Sequence, residues 1–397
     1  MFAYITMGPV VRRRFPGSEK EFALQDPHRL VALGAASAII LAACSGSSTP
    51  SAPTTGPEAT AAPGSQQPSV DYKACVAFDA GGLGDKGFND LAMEGLQDAK
   101  ALGYQTAFTE ATGSSDYASN LQRLMDEGCQ AIIVVGFEQT QAAIEQTQAN
   151  PDIAFSQVDA TWDEAANGPT PPNFTGLDFQ IDEAATLAGY LAAGFSQSKI
   201  IGTYGGEQYA GVTRFMDGMY AGIKIYNERK SADVKLLGWD PTADGGKGAG
   251  TFVGGDNPWG DASKGEQLAR GFMDQGADIV HPVAGGTGNG TIKAMLAAGK
   301  WAIGVDSDQA LSLPEYAKAI LTSVEKRIDV AVLDTIKKNA GGDMGGENFL
   351  GTLANGGVAI SPFHELDVQV SAELRAEVEQ LSEDIASGAV KVSDYLK

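Results

Sequence analysis

Residues Val76–Asn89 read VAFDAGGLGDKGFN. A short apolar strand stops at Asp79, the chain passes through a glycine-rich turn, and an amphipathic helix begins near Phe88. In an open α/β sheet, ligands sit in the crevice outside the carboxyl ends of the strands. Asp79, Phe88 and Asn89 therefore face a cleft as a carboxylate, an aromatic face and an amide on one βα loop. A sugar hydroxyl or a base edge suits the polar pair, and a flat ring suits Phe88. This is the grammar of binding rather than of catalysis.

The same unit repeats along the chain. Gln105–Thr109, Ala131–Val135, Ile153–Val158 and Asn173–Leu177 read as strands, and helices are expected over Ser115–Gly128, Gln139–Ala149 and Asp182–Phe195. A second set starts at Lys199, with strands at Ile200–Tyr204, Val234–Gly238, Asp278–Pro282 and Trp301–Val305. Helices over Val212–Tyr226, Ala262–Gln275 and Thr291–Ala298 lie between them. Alternation of this kind predicts parallel doubly wound sheets. Two α/β halves of similar size, in a chain of 397 residues, describe a bilobal protein with a cleft between lobes. Ala319–Ser323 reads as a further strand, Val324–Asn339 as a helix, and Gly351–Val358 with a helix over Ala372–Ala386 closes the chain. This last stretch recrosses the hinge.

The N-terminus reads as a targeting segment. Arg12–Arg14 and Arg29 precede the apolar run Leu30–Ala43, which is too short to span a bilayer and suits a signal peptide. Leu41-Ala42-Ala43-Cys44 resembles a bacterial lipobox, so residues 1–43 are expected to be removed and Cys44 to carry lipid. Residues 45–70 are Ser, Thr, Pro, Gly and Ala with almost no large apolar side chain. Such a stretch cannot repay the entropy of folding. It is expected to tether the folded body roughly 30 Å from the anchor.

The net charge is −22, from 28 basic and 50 acidic residues, which argues against a nucleic-acid surface. It also leaves membrane attachment to the lipid. Cys75 and Cys129 fall in and just before strands expected to be neighbours, so either a disulfide or two buried thiols fits. No catalytic set emerges from the three histidines. His-Glu-x-x-His and Gly-x-Ser-x-Gly are both missing from the sequence, and no cluster has metal-ligand spacing. Neither a metal nor a cofactor is expected.

Carboxylates recur at strand ends, at Asp79, Asp159 and Asp306, with Lys326 close after a strand end. One such Asp commonly caps a helix or forms a turn, but several at equivalent places would converge on the crevice. Gly286-Thr287-Gly288-Asn289-Gly290 lacks the pattern of a phosphate loop. It reads either as close backbone approach to an uncharged ligand or as a plain tight turn. Trp259, in a polar loop, either packs in a core or offers a second stacking face opposite Phe88, with Tyr209 as the rival for that place.

Together these residues resemble the basic membrane protein family, lipoproteins that serve as substrate-binding components of ABC importers and include purine nucleoside receptors. The resemblance rests on Asp79-x8-Phe88-Asn89, Ala284–Gly288, Ile303–Gln309, Thr322–Arg327 and Gly356-Gly357-Val358, and runs from about Tyr72 to Pro362. It implies a type I periplasmic-binding fold, two doubly wound lobes joined by three hinge crossings near 178, 306 and 341. Residues 71–178 and 306–340 would then form the N-terminal lobe, and 179–305 with 341–397 the C-terminal lobe.

It further implies a nucleoside, of the purine class, between the lobes, and membrane permease and ATPase partners. By that analogy Phe88 and Trp259 stack the base while Asp79 and Asn89 read its edge. Asp306 accepts the ribose hydroxyls, Lys326 donates to the sugar, Gly285 or Gly286 supplies backbone contacts, and Asp159 is a further candidate ligand. Asp90 and the long glycine-rich loop 240–260 depart from the family pattern. A flavin, a sugar or another small solute in the same fold, or a surface adhesin, are the rival readings. A nucleoside hydrolase would want an acidic metal cluster that Asp79 with Asp85 does not make.

Overall fold

The computed structural model describes residues 69–397; the leader, Cys44 and the tether up to residue 68 lie outside the described residues. The first lobe begins with β1 (Val70–Ala77), α1 (Phe88–Ala101), β2 (Tyr104–Thr109), α2 (Tyr117–Asp126), β3 (Ala131–Val135) and α3 (Thr140–Ala149). It continues with β4 (Ala154–Val158), the short α4 (Glu164–Asn167) and β5 (Phe174–Phe179). The chain then crosses into α5 (Ile181–Phe195), β6 (Ile200–Gly205), α6 (Ala210–Lys230) and β7 (Lys235–Leu237). A small hairpin, β8 (Trp239–Asp240) and β9 (Ala249–Gly250), flanks the turn α7 (Ala243–Gly246) inside the glycine-rich loop. There follow α8 (Ala262–Asp274), β10 (Ile279–Val283), α9 (Gly286–Ala297), β11 (Trp301–Asp306), α10 (Gln309–Ser312) and β12 (Ile320–Lys326). The chain ends with α11 (Ile328–Ala340), β13 (Phe349–Gly351), β14 (Val358–Ile360) and α12 (Ala372–Ala386).

Two six-stranded sheets result, in the orders β13-β5-β4-β3-β1-β2 and β14-β12-β11-β10-β6-β7. Apart from the antiparallel β12–β14 pair, neighbouring strands in both run parallel. Strands covered on both faces must be apolar throughout, and β3 (AIIVV) is buried at every position. In each sheet the winding reverses beside the first strand, between β1 and β3 and between β6 and β10. Those are the switch points where ligands bind.

Sheet membership moves two of the expected hinge crossings. The first crossing runs from Phe179, the end of β5, to Ile181, the start of α5. The second lies between Lys326 and Ile328 rather than near 306, because Ile320–Lys326 pairs with β11 and stays in the second sheet through Lys326. Val324–Lys326 is therefore strand, not the start of the helix. The third lies between Gly351 and Val358 rather than near 341, because β13 joins β5 in the first sheet and β14 joins β12 in the second. In the first lobe α11 lies against α1 so closely that a Cβ at Gly95 would come within 2.6 Å of the Asp329 carbonyl.

Cys75 in β1 and Cys129 before β3 are joined by a disulfide, Cα–Cα 6.0 Å, inside a cluster that includes Leu121, Leu124 and Phe155. Among the described residues no helix is long and apolar enough to cross a membrane.

Candidate functional site

The lobes meet around a cavity lined from both sheets. Polar contacts span the lobes at its rim. Ser307 Oγ and Ser312 Oγ donate to the Lys86 carbonyl at 2.6 and 3.1 Å, and Asn289 Nδ2 donates to the Asp85 carbonyl at 3.4 Å. Trp259 Nε1 donates to Glu138 Oε1 at 3.3 Å, and Glu138 Oε2 accepts the Tyr117 hydroxyl at 2.7 Å. These are contacts of a closed cleft.

Asp79, Asp159, Asp306 and Lys326 reach the cavity from strand ends or the turns after them, while Phe88 and Asn89 open α1 and Val212 and Phe215 lie on α6. Asp79 follows β1, and its Oδ1 accepts the Gly81 N–H at 2.9 Å and Asn89 Nδ2 at 3.0 Å. Its other oxygen lies over Gly136, where any Cβ would collide with it. Gly136 also has φ +92°, a conformation that costs glycine nothing. Asp159, just after β4, and Asp306, the last residue of β11, have φ of 62° and 66°. Aspartate is among the few side chains that tolerate this left-handed turn, and non-glycine residues held there cluster at binding sites.

Lys326, the last residue of β12, is 2% exposed. Its Nζ donates to both Asp159 oxygens at 2.7 and 3.0 Å and stands 3.8 Å from Asp306 Oδ1. It also lies 5.2 Å from the centre of the Phe88 ring and 5.1 Å from that of Phe215, within cation–π range.

The cavity is strongly acidic. Asp79, Asp85, Asp159 and Asp306 line it against the single ammonium of Lys326. Burial pushes the Asp306 carboxyl up to about 7, although Lys326 pulls it down. Burial likewise pushes Asp79 up to about 7, against the hydrogen bonds from Asn89 and Gly81. A site of this charge repels phosphate and suits a neutral ligand rich in O–H and N–H donors.

Of the residues read from the sequence, Asp79, Phe88, Asn89, Asp159, Trp259, Gly285, Asp306 and Lys326 all line this one cavity. Gly286 does not. It opens α9 against the Trp259 loop, and a Cβ there would stand 3.2 Å from the Trp259 carbonyl. The glycine run thus seats the tryptophan, helped by the hydrogen bond from Thr287 N–H to that carbonyl at 3.0 Å. Tyr209 is not among the lining residues; its ring lies on Phe137, 3.4 Å between centroids.

Sequence reasoning missed Asp85, Gly136, Phe137, Gly211, Val212 and Phe215 as lining residues. Asp85 carried a local signal, an Asp just ahead of a helix start. It accepts the backbone N–H groups of Gly87, Asn89 and Asp90 that the first turn of α1 leaves free. Phe215 carried none, being one of several apolar positions on the buried side of a long helix.

Residues 73–250 and 253–395 match the Bmp family, described as ABC transporter substrate-binding protein PnrA-like. The chain belongs to the Bmp family. This member is 29% identical over 346 residues to the "ABC transporter nucleoside-binding protein BmpA" of Lactococcus lactis, covering 81% of this chain and 89% of that protein. It is 31% identical over 296 residues to an uncharacterized lipoprotein of Pyrococcus horikoshii, covering 72% of this chain and 67% of the relative. Its fold matches the crystal structure of a solute-binding protein of an ABC transporter system from Aeropyrum pernix, with a TM-score of 0.70 and 25% identity. That match covers 81% of this chain and 92% of the other. The two-lobed architecture is the type I periplasmic solute-binding fold. As a Bmp protein the chain is an extracytoplasmic ABC transporter substrate-binding protein, and the family's work is solute binding.

Proposed function

We propose that this Bmp protein closes around a nucleoside, of the purine class, and hands it to a membrane permease while held to the cell membrane by lipid on Cys44. One observation carries the reading: a single closed cavity joins aromatic faces, Phe88 and Trp259, to a buried Asp159–Lys326–Asp306 cluster. A nucleoside has that pairing of parts. Its base stacks between the rings, Asp306 and Asp159 accept ribose hydroxyls, and Lys326 donates to the sugar. Asp79 and Asn89 read the base edge, and Gly285 offers its backbone. A deoxyribose would leave a buried acceptor unpaired, so ribonucleosides are preferred. The four lining carboxylates disfavour nucleotides. Only the closed form lets both lobes touch the ligand, so binding shifts the protein toward closure.

A thermal-shift screen against nucleosides, flavins and sugars tests this. Ligand in excess of its Kd stabilises the folded protein by RT ln(1 + [L]/Kd), about 2.7 kcal/mol at a hundredfold excess. Purine ribonucleosides are expected to raise the melting temperature. A rise with a flavin or a sugar, and none with nucleosides, would replace the reading.

A further inference from the structure

Glu138 is not among the residues that line the cavity, yet it holds one of the rings that do. It sits on the turn after β3, in the first lobe, and that turn is pinned. Gln139, fully buried, donates from Nε2 to the Ala77 and Val135 carbonyls at 3.0 and 2.7 Å, and Gln157 Nε2 donates to the Gly136 carbonyl at 3.0 Å. The Glu138 carboxylate is divided between two donors. Oε2 accepts the hydroxyl of the buried Tyr117, and Oε1 is left to accept Trp259 Nε1 from the second lobe at 3.3 Å. Burial, and the carboxylate beside it, push the Tyr117 hydroxyl up, so it keeps its proton and keeps that oxygen filled.

On its own lobe Trp259 is seated on glycine. Its six-membered ring lies against Gly206, where any Cβ would collide with it, and its carbonyl accepts the Thr287 N–H. Those contacts place the residue but leave the indole N–H to its partner across the cleft. A tryptophan N–H can only donate, and a partly buried one needs an acceptor. The bond spans the lobes, so it is made only in the closed form, and a carboxylate acceptor puts it among the stronger kind. Next to it the Phe137 ring meets the Tyr209 ring, so consecutive residues of one turn grip two aromatic side chains of the facing lobe.

Resting on the reading of Trp259 as a stacking ring for a nucleoside, we infer that Glu138 is a positioning residue that fixes the plane of that ring from across the cleft and sets how long the closed form holds its ligand. An interaction made only on closure slows opening without altering the encounter, so its loss appears in the dissociation rate.

Two measurements on the full chain test this. The chain has four tryptophans, so a nitrogen–proton NMR spectrum of the indole groups resolves them, and the peak missing in Trp259→Phe belongs to Trp259. In Glu138→Ala that peak should move while the others stay, in a sample saturated with inosine. A peak unmoved both with and without inosine would overturn the inference. By stopped flow, Glu138→Ala should release inosine about tenfold faster with its association rate unchanged within about twofold. Glu138→Gln can donate to Tyr117 and still accept the indole N–H, and should recover most of that loss. Trp259→Phe keeps a ring but has no N–H. It should itself speed release, and adding Glu138→Ala to it should change the rate less than about twofold further. A tenfold further change there, or no rescue by Gln, would mark Glu138 as structural only and refute its positioning role. An unchanged rate in Trp259→Phe would overturn the inference even if Glu138→Ala folds poorly. If inosine did not bind the unaltered protein, the nucleoside reading would lose its ground, while the spectra would still decide whether Glu138 holds the ring.

Discussion

Replacing both Asp79 and Asp306 by Asn should flatten the pH dependence of stability in a calculable way. Both carboxyls are lifted by burial from an ordinary value of 3.8 to about 7. A raised carboxyl binds its proton more tightly in the folded state. Its contribution is therefore full below the unfolded value and is lost as pH rises through 7. Between pH 8 and pH 6, one such group adds about 1.4 kcal/mol of stability, and two add about 3 kcal/mol. Asn keeps the shape and hydrogen-bonding reach of the side chain but cannot titrate. Urea unfolding of the ligand-free protein and of Asp79→Asn/Asp306→Asn at both pH values measures the difference. Moving from pH 8 to pH 6, the unaltered protein should gain about 3 kcal/mol more than the double variant. Other buried acids such as Asp182 and Glu325 titrate in both proteins and cancel. Equal gains would refute the claim that the closed cleft holds two protonatable, desolvated carboxyls.

Asp306→Ala should weaken nucleoside binding roughly a hundredfold or more, because a charged acceptor for two hydroxyls is removed; calorimetry on folded variant protein reads it. Trp259→Ala removes a ring and its interlobe bond to Glu138, and should raise Kd by roughly five- to 150-fold, the range for loss of one base–aromatic stack; ligand titration followed by fluorescence measures the change. Cys75→Ala/Cys129→Ala opens a cross-link spanning 54 residues and should cost about 4 kcal/mol, seen as a lower urea midpoint under oxidising conditions. Gly95→Ala forces a methyl within 2.6 Å of the Asp329 carbonyl and 2.9 Å of Val332 Cβ, and should cost about 1–3 kcal/mol in the same assay.

Much of the first lobe was legible because its strands are short apolar runs that stop at a polar residue. Strand Ala131–Val135 falls at the positions its composition marks, as does helix Ala372–Ala386 in the second lobe. The hinge was harder. Lys326 ends a strand whose last β-branched apolar residue is Val324, so propensity alone turned the chain helical four residues early. Pairing with β11, a tertiary contact, keeps Glu325 and Lys326 extended. Likewise β13 and β14 are three residues each, too short for any periodicity to show. Within the site, strand-end polar residues announce themselves, because a carboxylate ending an apolar run is conspicuous. The pairing of Lys326 with Asp159 was not legible, since it joins residues 167 apart on different sheets. Nor was the role of the glycine run, whose contact is to the Trp259 backbone rather than to the cavity.

Mass spectrometry of whatever small molecule co-purifies with the native protein tests the central claim most directly. The account predicts a purine nucleoside released on unfolding at up to one equivalent, and its loss in Asp306→Ala. A flavin, a free sugar or a nucleotide released in that amount, and no nucleoside, would contradict it.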